Sequence, residues 1–136
     1  MKRNMQQWMA ETIANPKKKG MPVLSFPGTQ LLGYTVEELV KSGEFQAQCM
    51  KAVADRFDTG AAFSLMDLSV EAEAFGSSIH YSDNEVPTVQ EALIHEEAEA
   101  DALQVPRVGD GRTGECVRGI RLASEWITDR PVLAGI

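Results

Sequence analysis

The spacing of two short apolar runs narrows the fold more than any other feature of this chain. "MPVLSF" (21–26) and "AAFSLM" (61–66) have the length and composition of buried strands, and the stretch between them reads as helix. Antiparallel neighbours need only a tight turn, whereas parallel strands need a crossover of about a dozen residues or more. The separation therefore predicts a right-handed crossover and parallel pairing. A third apolar run, "RPVLAGI", closes the chain. Helix, strand, helices, strand, extended excursion, helices and strand is an α/β order, and residues 22–26, 61–66 and 132–136 are expected to be parallel neighbours in one sheet.

The intervening segments carry their own signals. Met5, Trp8, Met9 and Ile13 recur at helical spacing before Asn15-Pro16, which predicts an amphipathic helix lying against an apolar surface. Pro27-Gly28 reads as the turn that stops the first strand. Thr35 and Glu38 have capping-box spacing, so a helix starts there. Ser42-Gly43 interrupts it, and Phe45, Cys49, Val53 and Phe57 form the expected apolar stripe of the next helix. "SSIHYSDNEVPTV" reads as a small extended excursion, and "VQEALIHEEAEADAL" as a solvent-facing acidic helix. Thr113 is the expected N-cap of a helix with Cys116, Ile120, Ala123 and Ile127 on one stripe.

Charge and cysteine content restrict partners. Twenty acidic residues against 13 basic ones leave a net charge of −7, which offers no broad field for phosphate backbones or anionic lipid. Nucleic acid is excluded as an expected partner. The two cysteines, Cys49 and Cys116, have no close-spaced mate and read as buried thiols in a reducing compartment. The N-terminus lacks the apolar core of a signal peptide and no window approaches a membrane span, so a cytoplasmic protein is expected. His80 and His95 lack a cysteine or an acid–histidine pair at ligand spacing and read as loop or surface histidines.

Candidate chemistry gathers where "FSLMDLSVEAEAFG" changes character at Asp67. A polar residue at the carboxyl end of a parallel strand lies where such sheets collect ligands, although Asp67 also suits a simple cap accepting from the N–H of Ser69 or Val70. Glu71 and Glu73, two apart on a helix, face different ways, and Glu71 is the better placed to look toward a pocket; exposure to solvent is the alternative for both. Phe26, Gly28 and Gln30 follow the first strand and are expected at the same pocket mouth, with a plain turn as the alternative for Pro27-Gly28.

"PVLSF", "DLSVEAEAFGSSIHY", "VPTV" and "PVLAGI", in this order, resemble the N-terminal portion of the uroporphyrinogen decarboxylase superfamily, which includes porphyrinogen decarboxylases and corrinoid-dependent methylcobamide:coenzyme M methyltransferases. The resemblance implies the N-terminal part of a (β/α)8 TIM barrel with crossover helices, so residues 1–136 form a single partial domain and the chain reads as truncated. It also implies that Asp67 is the catalytic strand-end carboxylate, the residue that contacts pyrrole N–H groups in the decarboxylases. Those enzymes clamp substrate carboxylates with two arginines in a Met-Arg-Gln-Ala-Gly-Arg run, where this sequence has Pro27 and Leu31. A polycarboxylate needs such cations.

The wording "VEAEAFG" is closer to the methyltransferase branch. Methyl transfer from a corrinoid to a thiol is therefore the expected activity of the complete enzyme, with uroporphyrinogen decarboxylation in porphyrin biosynthesis as the alternative and a non-catalytic accessory or oligomerising module as the reading of another class. The resemblance implies zinc and a corrinoid methyl donor for the complete enzyme, with the His-X-Cys ligands beyond this sequence and no cofactor held here. The expected partners are a small-molecule substrate or a corrinoid protein. The isolated chain is expected to be inactive, and to form a homo-oligomer that covers its open apolar face.

Overall fold

The structure, a computed structural model, describes residues 3–23 and 26–135. In chain order the elements are α1 (Met5–Ala14), α2 (Pro27–Leu32), α3 (Val36–Lys41), α4 (Gly43–Arg56), β1 (Ala62–Phe63), α5 (Val70–Ala74), β2 (Ile79–His80), β3 (Thr88–Val89), α6 (Glu97–Ala102), α7 (Arg112–Trp126) and β4 (Val132–Leu133). Strands β1 and β4 pair in parallel, Ala62 opposite Val132 and Phe63 opposite Leu133. Helix α7 precedes β4 as α4 precedes β1, and the two helices pack together beside the strand pair. The fold is thus mixed α/β with parallel strands. The extended excursion is an antiparallel hairpin, with Ile79 opposite Val89 and His80 opposite Thr88.

Helix α4 begins and α3 ends on one residue. The Thr35 hydroxyl accepts from the Glu38 N–H at 3.1 Å while the Glu38 carboxylate accepts from the Thr35 N–H at 2.9 Å, the capping box expected from the spacing. Ser42 closes α3, and its hydroxyl accepts from the Phe45 N–H to open α4.

The core is built on small residues. Ala47, Met50 and Ala54 of α4, Ala62 of β1, Ala123 of α7 and Ile127 form one buried cluster, with Leu122 and Val132 packed against it. Glycines let α4 and α7 approach to backbone contact: a Cβ on Gly43 would lie 2.9 Å from the Gly119 N, and one on Gly119 would lie 3.0 Å from the Gly43 O. The α2–α4 contact is equally tight, since a Cβ on Gly28 would lie 2.5 Å from the Cys49 Cβ.

Several expectations change. The predicted first strand is not found in its described part: Met21–Val23 is irregular, Phe26 is the N-cap of α2, and Leu24 and Ser25 lie outside the described residues. Pro27 does not end a strand by a turn; it opens a helix, because its fixed φ and missing N–H suit the first helical turn. The third strand pairs only at Val132–Leu133, and its predicted last residue, Ile136, lies outside the described residues.

Helix α1 forms and ends at Asn15, yet it has no buried residue; Met9 and Ile13 are exposed. On α4 the buried face runs through Gln46, Ala47, Met50 and Ala54 as well as Cys49, while Phe57 is exposed, because the close approach of α7 selects small side chains over the aromatic stripe. The acidic helix is limited to Glu97–Ala102 and none of it is buried, so no packing extends it toward residue 90. Thr113 lies inside α7 rather than at its cap, which is Gly111.

Replacing Thr35 by Ala should lower unfolding free energy by about 1 kcal/mol. Gly28→Ala should cost about 1–3 kcal/mol by forcing α2 off Cys49. Urea melts of the two variants check both values and their order.

Candidate functional site

Beyond β1 the backbone N–H of Ser64 still bonds to the Leu133 carbonyl at 2.9 Å, and the chain then leaves the strand toward Asp67. The Asp67 carboxylate turns back on its own segment: Oδ1 accepts from the Ser69 N–H at 2.9 Å and from the Ser69 hydroxyl at 2.6 Å. This is an Asx turn leading into α5, whose N-cap is Ser69. The local cap-like role therefore holds with Ser69 as donor, but it uses only one carboxylate oxygen.

The second oxygen is taken by a residue from far along the chain. Arg112 donates from Nη1 to Asp67 Oδ2, from Nε to Glu73 Oε2 at 2.5 Å, and from Nη2 to Ser69 Oγ at 2.9 Å. The ion pair is deeply buried, with the Arg112 side chain 8% exposed and that of Asp67 2%. Tyr81 completes the cluster, its hydroxyl donating to Glu73 Oε1 and its ring centroid lying 5.2 Å from the Arg112 guanidinium. Lys41 sits 4.0 Å from the centroid of the same ring. Every polar group in this cluster has a partner, as burial demands.

Electrostatics follow from the packing. Burial opposes the charge on Arg112, but hydrogen bonds to Asp67 and Glu73 outweigh it and hold the guanidinium above its ordinary pKa. Burial and the Glu73 hydrogen bond push the Tyr81 hydroxyl up to about 12. Burial alone pushes the Cys49 thiol up to about 11, so the contact of Cys49 with Gly28 is structural packing.

A cleft of about 360 Å³ borders the cluster. Asp67 and Glu71 line it with Leu65, Met66, Val70 and Ile120, and Gly135, which follows β4, places it at the carboxyl end of the parallel pair. Cys116 also reaches it. Glu71 and Glu73 diverge as two-apart helical residues must, Glu71 onto the cleft and Glu73 into the ion cluster.

The residues expected around the first strand are not brought here. Phe26, Gly28 and Gln30 are absent from the cleft lining: Phe26 caps α2, Gly28 is buried against Cys49, and Gln30 is exposed. The helix that starts at Pro27 turns this segment onto α4. His80 and His95 are exposed.

Sequence reading missed Arg112 and Tyr81, and it preferred Glu71 over Glu73 and foresaw only the backbone N–H of Ser69, not its hydroxyl. One signal was available for Arg112. It is the first residue of α7, a position where the helix dipole disfavours a cation, and it follows Gly109 and Gly111, whose positive φ values of 103° and 55° shape the loop. A cation placed so needs carboxylates from elsewhere.

A carboxylate at the carboxyl end of parallel strands, anchored by an arginine from a later helix and bordering an apolar cleft, is the feature this α/β protein presents where such sheets collect ligands. The chain belongs to the uroporphyrinogen decarboxylase (URO-D) family, whose model matches residues 19–136. Among solved structures, a methyltransferase from Methanosarcina mazei superimposes with a TM-score of 0.74 at 18% identity, covering 96% of this chain and 41% of that one. The chain therefore spans about two fifths of the length of that structure. The likeness is one of fold. A comparison with curated proteins finds no significant match.

Replacing Arg112 by Met should destabilise the protein by about 3–5 kcal/mol, since Asp67 is left buried without its counter-charge. Denaturant unfolding measures the loss. Alkaline pH should act through Tyr81: with a folded pKa near 12 against about 10 when unfolded, its contribution is full below pH 10 and is lost as pH rises toward 12. Ultraviolet titration of the native protein should show one phenol ionising near pH 12, and Tyr81→Phe should remove that step.

Proposed function

We propose that this chain is the N-terminal part of a (β/α)8 barrel in a URO-D-family methyltransferase that moves a methyl group from a corrinoid to a thiol. The observation that carries the reading is the cleft beside Asp67, which has no Lys or Arg among its lining residues. A porphyrinogen with several carboxylates would meet Asp67 and Glu71 there, while the nearby guanidinium of Arg112 is already committed to Asp67 and Glu73. The name of the Methanosarcina mazei relative supports the same choice.

The surface supports the partial-barrel reading. The chain exposes 8972 Å², against about 7,000 Å² for a compact monomer of its 14.9 kDa mass. Leu68, Val105 and Val108 are 83%, 84% and 91% exposed, apolar side chains that further barrel strands or a second copy would cover. No described helix is long and apolar enough to cross a membrane.

In this reading Asp67 and Glu71 are the carboxylates that line the cleft beside the reacting molecule, with Gln46, Ser64 and Thr113 as further polar lining, and Leu65, Met66, Val70 and Ile120 keep water from it. The corrinoid enters as a substrate carried by another protein. Among the described residues no three His, Cys, Asp or Glu side chains come together to hold a metal, so zinc does not fit this chain and no step is assigned to it here.

Spectroscopic assay of the full-length gene product should show loss of the methyl–cobalt absorbance of methylcobalamin when a thiol is added, and no carboxyl loss from uroporphyrinogen. Decarboxylation without demethylation would replace this reading with the alternative. Asp67→Asn should lower the methyl-transfer rate by about tenfold or more.

A further inference from the structure

The buried cluster holds one more assignment. Arg112 does not line the cleft, and all three of its nitrogen atoms are engaged with Asp67, Ser69 and Glu73. Both oxygens of Asp67 are held as well, one by Ser69 and the other by Arg112. Ser69 Oγ joins the two, donating to Asp67 at 2.6 Å and accepting from Arg112 at 2.9 Å. This three-membered ring of contacts leaves the carboxylate little rotational freedom, because any turn about its Cβ–Cγ bond breaks at least one contact to a charged group. We propose that Arg112 is a positioning residue for the strand-end carboxylate, fixing the orientation of Asp67 from the N-terminus of α7. Glu73 and Tyr81 in turn hold the guanidinium, so the orientation of Asp67 depends on β1, α5, the β2 hairpin and α7 together.

The assignment rests on the reading that Asp67 faces the reacting molecule, and its test separates the two. The charged and titratable groups around Asp67 are Arg112 and Cys116 from α7, Glu71 and Glu73 from α5, and Tyr81 with Lys41 above it. Crystal structures of the native protein and of each folded variant require no activity. In Arg112→Gln, and in Arg112→Lys, which keeps the charge but loses the planar fork, the Asp67 carboxylate should turn out of the orientation that the native Arg112 and Ser69 contacts give it.

In the methyl-transfer assay Arg112→Lys should lower kcat by about tenfold with KM unchanged, and the Asp67→Asn/Arg112→Lys pair should be no slower than Asp67→Asn alone. An unchanged orientation of the Asp67 carboxylate in a folded Arg112→Gln variant, or losses that simply multiply in the pair, overturns the assignment. Should Arg112→Gln fail to fold, the kinetic cycle with Arg112→Lys decides. If no variant and no native protein transfers methyl groups while the carboxylate turns as expected, the functional reading falls and the positioning of Asp67 by Arg112 stands.

Discussion

The close approach of α4 and α7 is the constraint on which the remainder of this structure depends. Two glycines, Gly43 and Gly119, bring the helix backbones into contact, and neither position has room for a Cβ. Helices at that distance bury alanines rather than large side chains, which is why Ala47, Ala54 and Ala123 make the core. Since each helix leads into a strand of the parallel pair, the helix contact also brings β1 and β4 side by side.

The same contact positions the site. Packing α7 on α4 sets its first residue, Arg112, against the segment leaving β1, where Asp67 and Glu73 supply the counter-charge. Burying a cation at a helix N-terminus is unfavourable by itself. Two carboxylates, a serine hydroxyl and a tyrosine ring offset that cost, and the cluster locks α5 and the β2 hairpin to α7. Stability and the geometry at the strand end are thereby coupled, because the residues that hold these elements together also hold the Asp67 carboxylate.

Membership in the URO-D family sets a contrast within the site. Polycarboxylate recognition calls for free cations near the strand-end aspartate, and here the nearby arginine is consumed internally while the cleft presents apolar side chains and acids. The fold is shared with a methyltransferase from Methanosarcina mazei, and a shared fold does not by itself set the chemistry.

Local and short-range features were legible in the sequence. The Thr35–Glu38 capping box, the Ser42 break and the extended excursion follow from residues close in the chain, whereas the crossover expected from residues 21–26 to 61–66 is not seen among the described residues, and the parallel pair found joins β1 to β4. Asp67 was identifiable because a carboxylate at the end of an apolar run is costly without a purpose. What the sequence could not determine were the choices made by packing. Whether α4 buried Phe57 or Ala54, whether Pro27 ended a strand or began a helix, and where Gly28 lay were decided by which helix came alongside. The partner of Asp67 was decided in the same way: Arg112 stands 45 residues later, and only the tertiary contact of α7 with the β1–α5 segment brings the two charges into one buried site.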